Sequence, residues 1–259
     1  MTQHLYIVTG ASRGLGLAMA QLLLQPGHTL LCISRQVNEV LSLQAKSAGA
    51  TLVQWSQDLA LSARAGARLE QWLREQNSSA NSSANSTLYS SATLINNAGV
   101  VGRIGPLSDA DADDLSRALR VGLEAPMQLT SAFLRATEHW QGPRKVLNIS
   151  SGLGRRAMAA QAGYCAAKAG MDHFTRCVAL DEALKSHGAK VCSLAPSVID
   201  TDMQIQLRSA DANAFADRAA FVQLKERGAL TSPEQAARNV LNFLCRPDFG
   251  AEPVADVRG

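Results

Sequence analysis

Short apolar runs alternate with helical patterns along most of the chain. Residues 4 to 8 (H-L-Y-I-V), 29 to 33 (T-L-L-C-I), 51 to 55 (T-L-V-Q-W), 93 to 95 (T-L-I) and 146 to 149 (V-L-N-I) are aliphatic, β-branched or aromatic. Runs this short and this apolar suit strands covered on both faces in a parallel sheet. Helical apolar content follows the first run over 17 to 24 and the third over about 63 to 75. Strands that alternate with helices predict an α/β fold. Residues 204 to 230 form two short helical patterns placed to cover a site. Ser232-Pro233-Glu234-Gln235 is a helix start, an S-x-x-Q capping box with proline at the first helical position. That helix is expected to run to about residue 245, before a short terminal strand at 254 to 258.

The stretch from 76 to 87 repeats N-S-S-A and is too polar to pack, which predicts a surface loop over about 76–92. With 259 residues, 46% of them hydrophobic, the chain suits one domain over 1–259. Its formal net charge of +3 is scattered, without the basic block that a nucleic-acid surface needs. The five cysteines are dispersed and lack a C-x-x-C pair, so they are expected to be reduced, mostly buried thiols of a cytoplasmic protein. The five histidines show no ligand spacing, and no metal is expected. No apolar run approaches the roughly 20 residues of a membrane span. The chain starts on a strand rather than a signal peptide, so the N-x-S/T triplets of the polar stretch are taken as incidental.

The chemistry is concentrated at the ends of the apolar runs. After the first come Thr9-Gly10-Ala11-Ser12-Arg13-Gly14-Leu15-Gly16 and then a helix. A strand, a glycine turn and a helix N-terminus make an anion site that suits a pyrophosphate. The second run ends at Ser34-Arg35, about twenty residues beyond the turn, where an acid would bind a ribose 2′-hydroxyl and an arginine suits a 2′-phosphate. Arg13 adds a second positive charge, so NADP(H) is expected over NAD(H). The third run leads to Asp58-Leu59, where a carboxylate can take the adenine amino group or cap a helix. Asn96-Asn97-Ala98-Gly99 lets a cofactor approach the backbone, with the asparagines expected to fix the turn by local hydrogen bonds. The fifth run delivers Ser150-Ser151, a hydroxyl suited to polarise a carbonyl. In Tyr164-Cys165-Ala166-Ala167-Lys168 the phenol and ammonium stand one helical turn apart on one face. A fixed positive charge there favours the phenolate and fits the tyrosine for general acid/base work.

These motifs, in this order over nearly the whole chain, resemble the short-chain dehydrogenase/reductase family. Within it the chain is most similar to sepiapterin reductases and bacterial benzil reductases, through L-I-N-N-A-G at 94 to 99, V-L-N-I-S-S at 146 to 151, Y-C-A-A-K, and Ala195-Pro196 followed by Asp200-Thr201-Asp202-Met203-Gln204. The resemblance implies a Rossmann-type fold, a doubly wound parallel sheet in three α/β/α layers, with a nicotinamide cofactor, a small carbonyl substrate, and association as a homodimer or homotetramer. It implies that Tyr164 is the acid/base, that Ser151 holds the substrate oxygen, and that Lys168 anchors the ribose and lowers the tyrosine pKa. The segment after Pro196 would contact the nicotinamide through Ile199, Thr201, Asp202, Met203 and Gln204, and Asp256 would anchor a pterin. Two positions depart from the family. Gly122 stands where an asparagine usually helps to organise a water chain from the lysine, and Ser197 stands where glycine usually follows the proline, narrowing the pocket beside the nicotinamide. The expected activity is NADPH-dependent reduction of a ketone or 1,2-dicarbonyl of sepiapterin or benzil type. The alternatives are a 3-oxoacyl or steroid-type reductase and a weakly catalytic NADP sensor.

Overall fold

A computed structural model describes residues 3–78 and 88–258. Seven strands form one parallel sheet in the order β3-β2-β1-β4-β5-β6-β7. They are β1 His4–Thr9, β2 His28–Ser34, β3 Thr51–Ser56, β4 Ser91–Asn96, β5 Arg144–Ile149, β6 Lys190–Ala195 and β7 Val254–Asp256. β6 escaped the sequence reading because Lys190 and Ser193 interrupt its apolar run. β7 stops at Asp256, two residues short of expectation, where Arg258 turns back to bond the Asp256 carboxylate.

Strand residues alternate between two cores, as a two-residue period requires. Leu5, Ile7, Leu31, Ile33, Leu94, Val146 and Val191 face helices α3 (Ser62–Ser78) and α5 (Ala125–Ala136), with Val178 of α6 (Ala162–Ala183) packed alongside. Val8, Leu30, Cys32, Ile95, Leu147, Cys192 and Leu194 face α1 (Gly14–Leu23), α2 (Glu39–Ala48) and α9 (Pro233–Leu244). The sheet is therefore covered on both sides and doubly wound, as expected. The remaining helices are α4 (Ala112–Leu119), α7 (Asp202–Arg208) and α8 (Arg218–Glu226).

Several boundaries differ from expectation for local reasons. Helix α1 begins at Gly14, inside the glycine turn, rather than at 17. Of the loop expected over 76–92, residues 79–87 lie outside the described part. Residues 76 to 78 extend α3, where Gln76 accepts from the Tyr89 hydroxyl at 3.2 Å, and β4 has already begun at Ser91. Asp58 caps no helix. The box at Ser232 is half formed: its hydroxyl accepts from the Gln235 amide, but the Gln235 side chain turns to Asn239. Of the cysteines, Cys32 and Cys192 are buried, Cys165 is half-buried, and Cys177 and Cys245 are exposed on helix surfaces, so most are not core thiols. No described helix is long and apolar enough to cross a membrane.

Candidate active site

Strand order reverses between β1 and β4, the place where a doubly wound sheet opens a crevice at its carboxyl end. The glycine turn and N-N-A-G meet there. Gly10 has φ +67°, and a β-carbon on it would lie 3.0 Å from the Ala98 Cα. One on Gly16 would sit 2.2 Å from the Gly10 carbonyl oxygen, so the turn closes only with glycine. The asparagines act across strands rather than locally. The Thr9 hydroxyl accepts from the Asn97 and Ala98 amides, and Asn97 donates back to the Thr9 carbonyl at 2.9 Å. Asn96 is buried and donates to Asn148 at 2.8 Å.

Most residues expected to hold a dinucleotide border this crevice, and their chemistry fits one. Ser34 Oγ and Gln204 Oε1 are buried polar atoms without a protein partner, of the kind a bound nucleotide satisfies. Arg35 is exposed just beyond β2. Arg13 is engaged with Asp202 at 2.8 Å, and Thr201 lies within 3.5 Å of where a Gly14 β-carbon would be. The glycine turn and the start of α7 thus close on one another. Ser12 accepts from Asn38 through its carbonyl. The side chains of Ala11, Leu15 and Leu59 go into the cores, which leaves only their backbones for a ligand. Pro196 is buried, Ile199 is fixed by pairing with Thr231, and Met203 joins an apolar cluster described below.

Asp58 has a partner that sequence did not reveal. Arg117, on the last turn of α4, reaches both of its oxygens, at 3.1 and 3.4 Å. The Ala60 amide first, with Arg117 and Arg35 adding to it, holds the Asp58 carboxyl below its usual range against the opposing effect of burial. An acid and two arginines, Asp58, Arg35 and Arg117, are therefore grouped beyond the ends of β2 and β3.

Ser151, Tyr164 and Lys168 come together at the carboxyl end of β5. Ser151 caps the 3-10 turn Gly152–Gly154 by accepting from the Leu153 amide at 3.2 Å, and its hydroxyl stands beside the Tyr164 phenol, close enough to favour the phenolate. Lys168, 4% exposed, donates to the Ile149 carbonyl at 2.7 Å. Its Nζ lies 5.8 Å from the Tyr164 ring centroid and close under Gly99, where a β-carbon would be 3.8 Å away. Burial pushes the Tyr164 phenol up, and Ser151 beside it acts in the opposite direction. Burial also brings Lys168 down to about 8, against the Asp172 charge that raises it.

Tyr164 opens onto apolar surface. Val101, Ile104, Leu207 and Phe215 form a buried cluster with Met158, Ala160, Tyr164, Met203 and Phe221 packed on it. These residues come from the loop after N-N-A-G, the loop before α6 and the α7 to α8 segment. A cavity of about 40 Å³ beside Tyr164, lined by Gly102, Asp114 and Gln161 among others, holds a few waters at most. Two non-glycine residues here have left-handed backbone, Ala160 at φ +62° and Ser197 at φ +77°. Ser197 thus keeps a glycine conformation while carrying a side chain. Gly122 lies not in a regular helix interior but in a π-helical turn, Arg120–Glu124, between α4 and α5. Its β-carbon would be 3.1 Å from the Ala167 Cβ, next to Lys168. Asp256 ends β7 opposite Ala195, and its carboxylate holds Arg258 at 2.8 Å and Arg155 at 3.7 Å. Arg117 and the apolar cluster are the features that the sequence reading missed. An arginine one turn before Val121-Gly122 was the only local signal for the first; for the second, the helical patterns over 204 to 230 marked the covering segment but not its partners Val101, Ile104 and Met158.

Known proteins carry the same pattern. A family model described as short chain dehydrogenase matches residues 4–212. A benzil reductase ((S)-benzoin forming) from Bacillus cereus is 37% identical over 243 residues, 94% of each chain. A sepiapterin reductase from Xenopus tropicalis is 28% identical over 256 residues, covering 93% of this chain and 90% of that one. Among solved structures, a short-chain dehydrogenase/reductase from Burkholderia vietnamiensis aligns with TM-score 0.63 and 34% identity over 99% of this chain and 98% of its own.

Proposed function

The chain belongs to the short-chain dehydrogenase family, and from that premise we propose that it is an NADPH-dependent carbonyl reductase for bulky, apolar ketones or 1,2-dicarbonyls of benzil type. The observation that carries this is the gathering of Ser151 beside Tyr164, one turn from Lys168, with the phenol ring against a wall of Met158, Phe221 and Ile104. When bound, the nicotinamide supplies the hydride. Ser151 holds the carbonyl oxygen, and Tyr164 gives its phenolic proton to the alkoxide as it forms. A raised phenol is the correct state for that donation near neutral pH. Lys168, fixed by Ile149, anchors the ribose below Gly99, and the glycine turn holds the pyrophosphate. Arg35 accounts for the preference for the 2′-phosphate.

The apolar wall favours a diaryl diketone over a pterin, because the carboxylate proposed for a pterin, Asp256, is occupied by Arg258 and Arg155. We place the enzyme in the cytoplasm as one catalytic domain, associating as a homodimer or homotetramer. The test is NADPH oxidation with benzil, sepiapterin, an acetoacetyl thioester and no substrate, repeated with NADH. Turnover of benzil with NADPH preferred supports the proposal. Turnover of the thioester alone makes the chain a 3-oxoacyl reductase, and NADPH binding without reduction of any carbonyl makes it a sensor.

A further inference from the structure

The face of α6 that carries Tyr164 and Lys168 continues one turn on to Asp172 and then to Thr175. Asp172 is 1% exposed. Its Oδ1 accepts from Ser150 Oγ at 2.5 Å and from Ser193 Oγ at 2.7 Å. Its Oδ2 is buried without a hydrogen-bond partner, and a β-carbon on Gly154 would come within 2.7 Å of it. A buried carboxylate with an unsatisfied oxygen is a costly way to link two hydroxyls. A neutral asparagine or threonine would link them with less desolvation. What only the carboxylate adds is charge.

The places it links are the ones the chemistry needs. Ser150 lies between Ile149, whose carbonyl takes Lys168, and Ser151. Ser193 is on β6, the strand that runs on to Pro196 and the left-handed Ser197. We propose that Asp172 is a positioning residue of this site: it ties the Ser150-Ser151 turn and β6 to the helix of Tyr164 and Lys168, and its negative charge steadies the lysine ammonium. This rests on the Ser151, Tyr164 and Lys168 reading above and adds to it.

The surroundings leave Asp172 without a rival. On α6 itself the titratable neighbours are Tyr164 and Lys168. From β6 comes the Cys192 thiol, which burial first and the Asp172 charge second push up to about 12. The turn after β5 presents the neutral Ser150, Ser151 and Gly154. β5 gives Asn148 to Thr175 at 2.8 Å, and the π turn puts Gly122 against Ala167. Burial lowers Lys168 and the Asp172 charge opposes it. Removing that charge therefore drives the lysine toward the neutral amine at lower pH.

The experiment compares Asp172→Asn with Ser193→Ala in the full-length enzyme, measuring kcat for benzil and NADPH affinity from fluorescence across pH 6 to 10, roughly two units either side of the Lys168 value. Asp172→Asn should lower kcat roughly tenfold or more and move the basic limb of both profiles down by about one pH unit. Ser193→Ala removes a donor but keeps the charge, and should leave that limb in place. Should the asparagine variant not fold, Asp172→Thr is expected to show the same shift. Wild-type kcat and limb in either uncharged variant would overturn the proposal, as would a loss of kcat with lower melting temperature and an unmoved limb, the result of a purely structural role. Tyr164→Phe in the same buffers separates the two levels. If it turns over, the catalytic reading fails; if it is dead while Asp172→Asn behaves as wild type, only this inference fails.

Discussion

Arg13 Nη1 lies 2.8 Å from Asp202 Oδ2, joining the glycine turn to the first residue of α7 across the mouth of the crevice. Both side chains are mostly exposed, so the pair contributes only about 0–1 kcal/mol to stability. Its consequence is for the cofactor. An arginine already paired to a carboxylate is a poorer ligand for a 2′-phosphate than Arg35. Arg35→Ala is therefore expected to weaken NADPH by about tenfold or more while changing NADH little, since a charge-assisted contact to phosphate is worth roughly 1.5–3 kcal/mol. Arg13→Ala should weaken both cofactors by a small, similar factor. Fluorescence titration of each variant measures this, and equal loss of NADPH and NADH in Arg35→Ala would remove the assignment.

Tyr164→Phe keeps the ring against Ile104 and Met158 and deletes only the hydroxyl beside Ser151. Turnover should drop by at least roughly 10²–10⁴, the usual worth of a positioned acid or base, with NADPH affinity nearly unchanged. Near-normal turnover would show that the proton comes from elsewhere.

In the proposed mechanism reduction uses the Lys168 ammonium, and burial brings that lysine down to about 8. Below that pH it is charged, and above it neutral. Benzil reduction should therefore be level on the acid side and fall as pH rises through about 8. A plateau extending unbroken to the ordinary lysine range would show that burial does not act on this group.

Ser197 pays for a left-handed backbone that glycine adopts freely. Ser197→Gly should stabilise the fold by about 0.5–1 kcal/mol, the relief of strain less the extra unfolded-state entropy of glycine. It should also lower KM for bulky diketones by clearing the side chain from beside the nicotinamide position. Thermal unfolding and steady-state kinetics read the two effects separately, and an unchanged or lower melting temperature would contradict the strain argument.

Gly122→Asn puts the residue usual in the family where a β-carbon meets Ala167 at 3.1 Å. The contact must displace α6 beside Lys168, at a cost of about 1–3 kcal/mol for overpacking. Lower kcat together with a lower melting temperature is expected. A faster enzyme would instead mean that the glycine is a defect in proton resupply.

The strands at 4 to 8, 29 to 33 and 51 to 55, the glycine turn, and the common face of Tyr164 and Lys168 were all legible in the chain. Each depends on a local period or a local steric need, and those are written in consecutive residues. Tertiary structure alone decided the rest. Asp58 and Arg117 are far apart in sequence and meet only because α4 packs beside the end of β3. The wall around Tyr164 gathers Ile104, Met158, Met203 and Phe221 from separate segments, and the helical patterns over 204 to 230 did not show which of the others they would meet. Sequence likewise marked Gly122 as a departure, but its contact with Ala167 required the two helices side by side. The setting of the Tyr164 phenol was decided in the same way. Helical spacing fixes which face a side chain occupies, whereas burial and the partner at the hydroxyl, here Ser151, depend on what the other elements bring to that face.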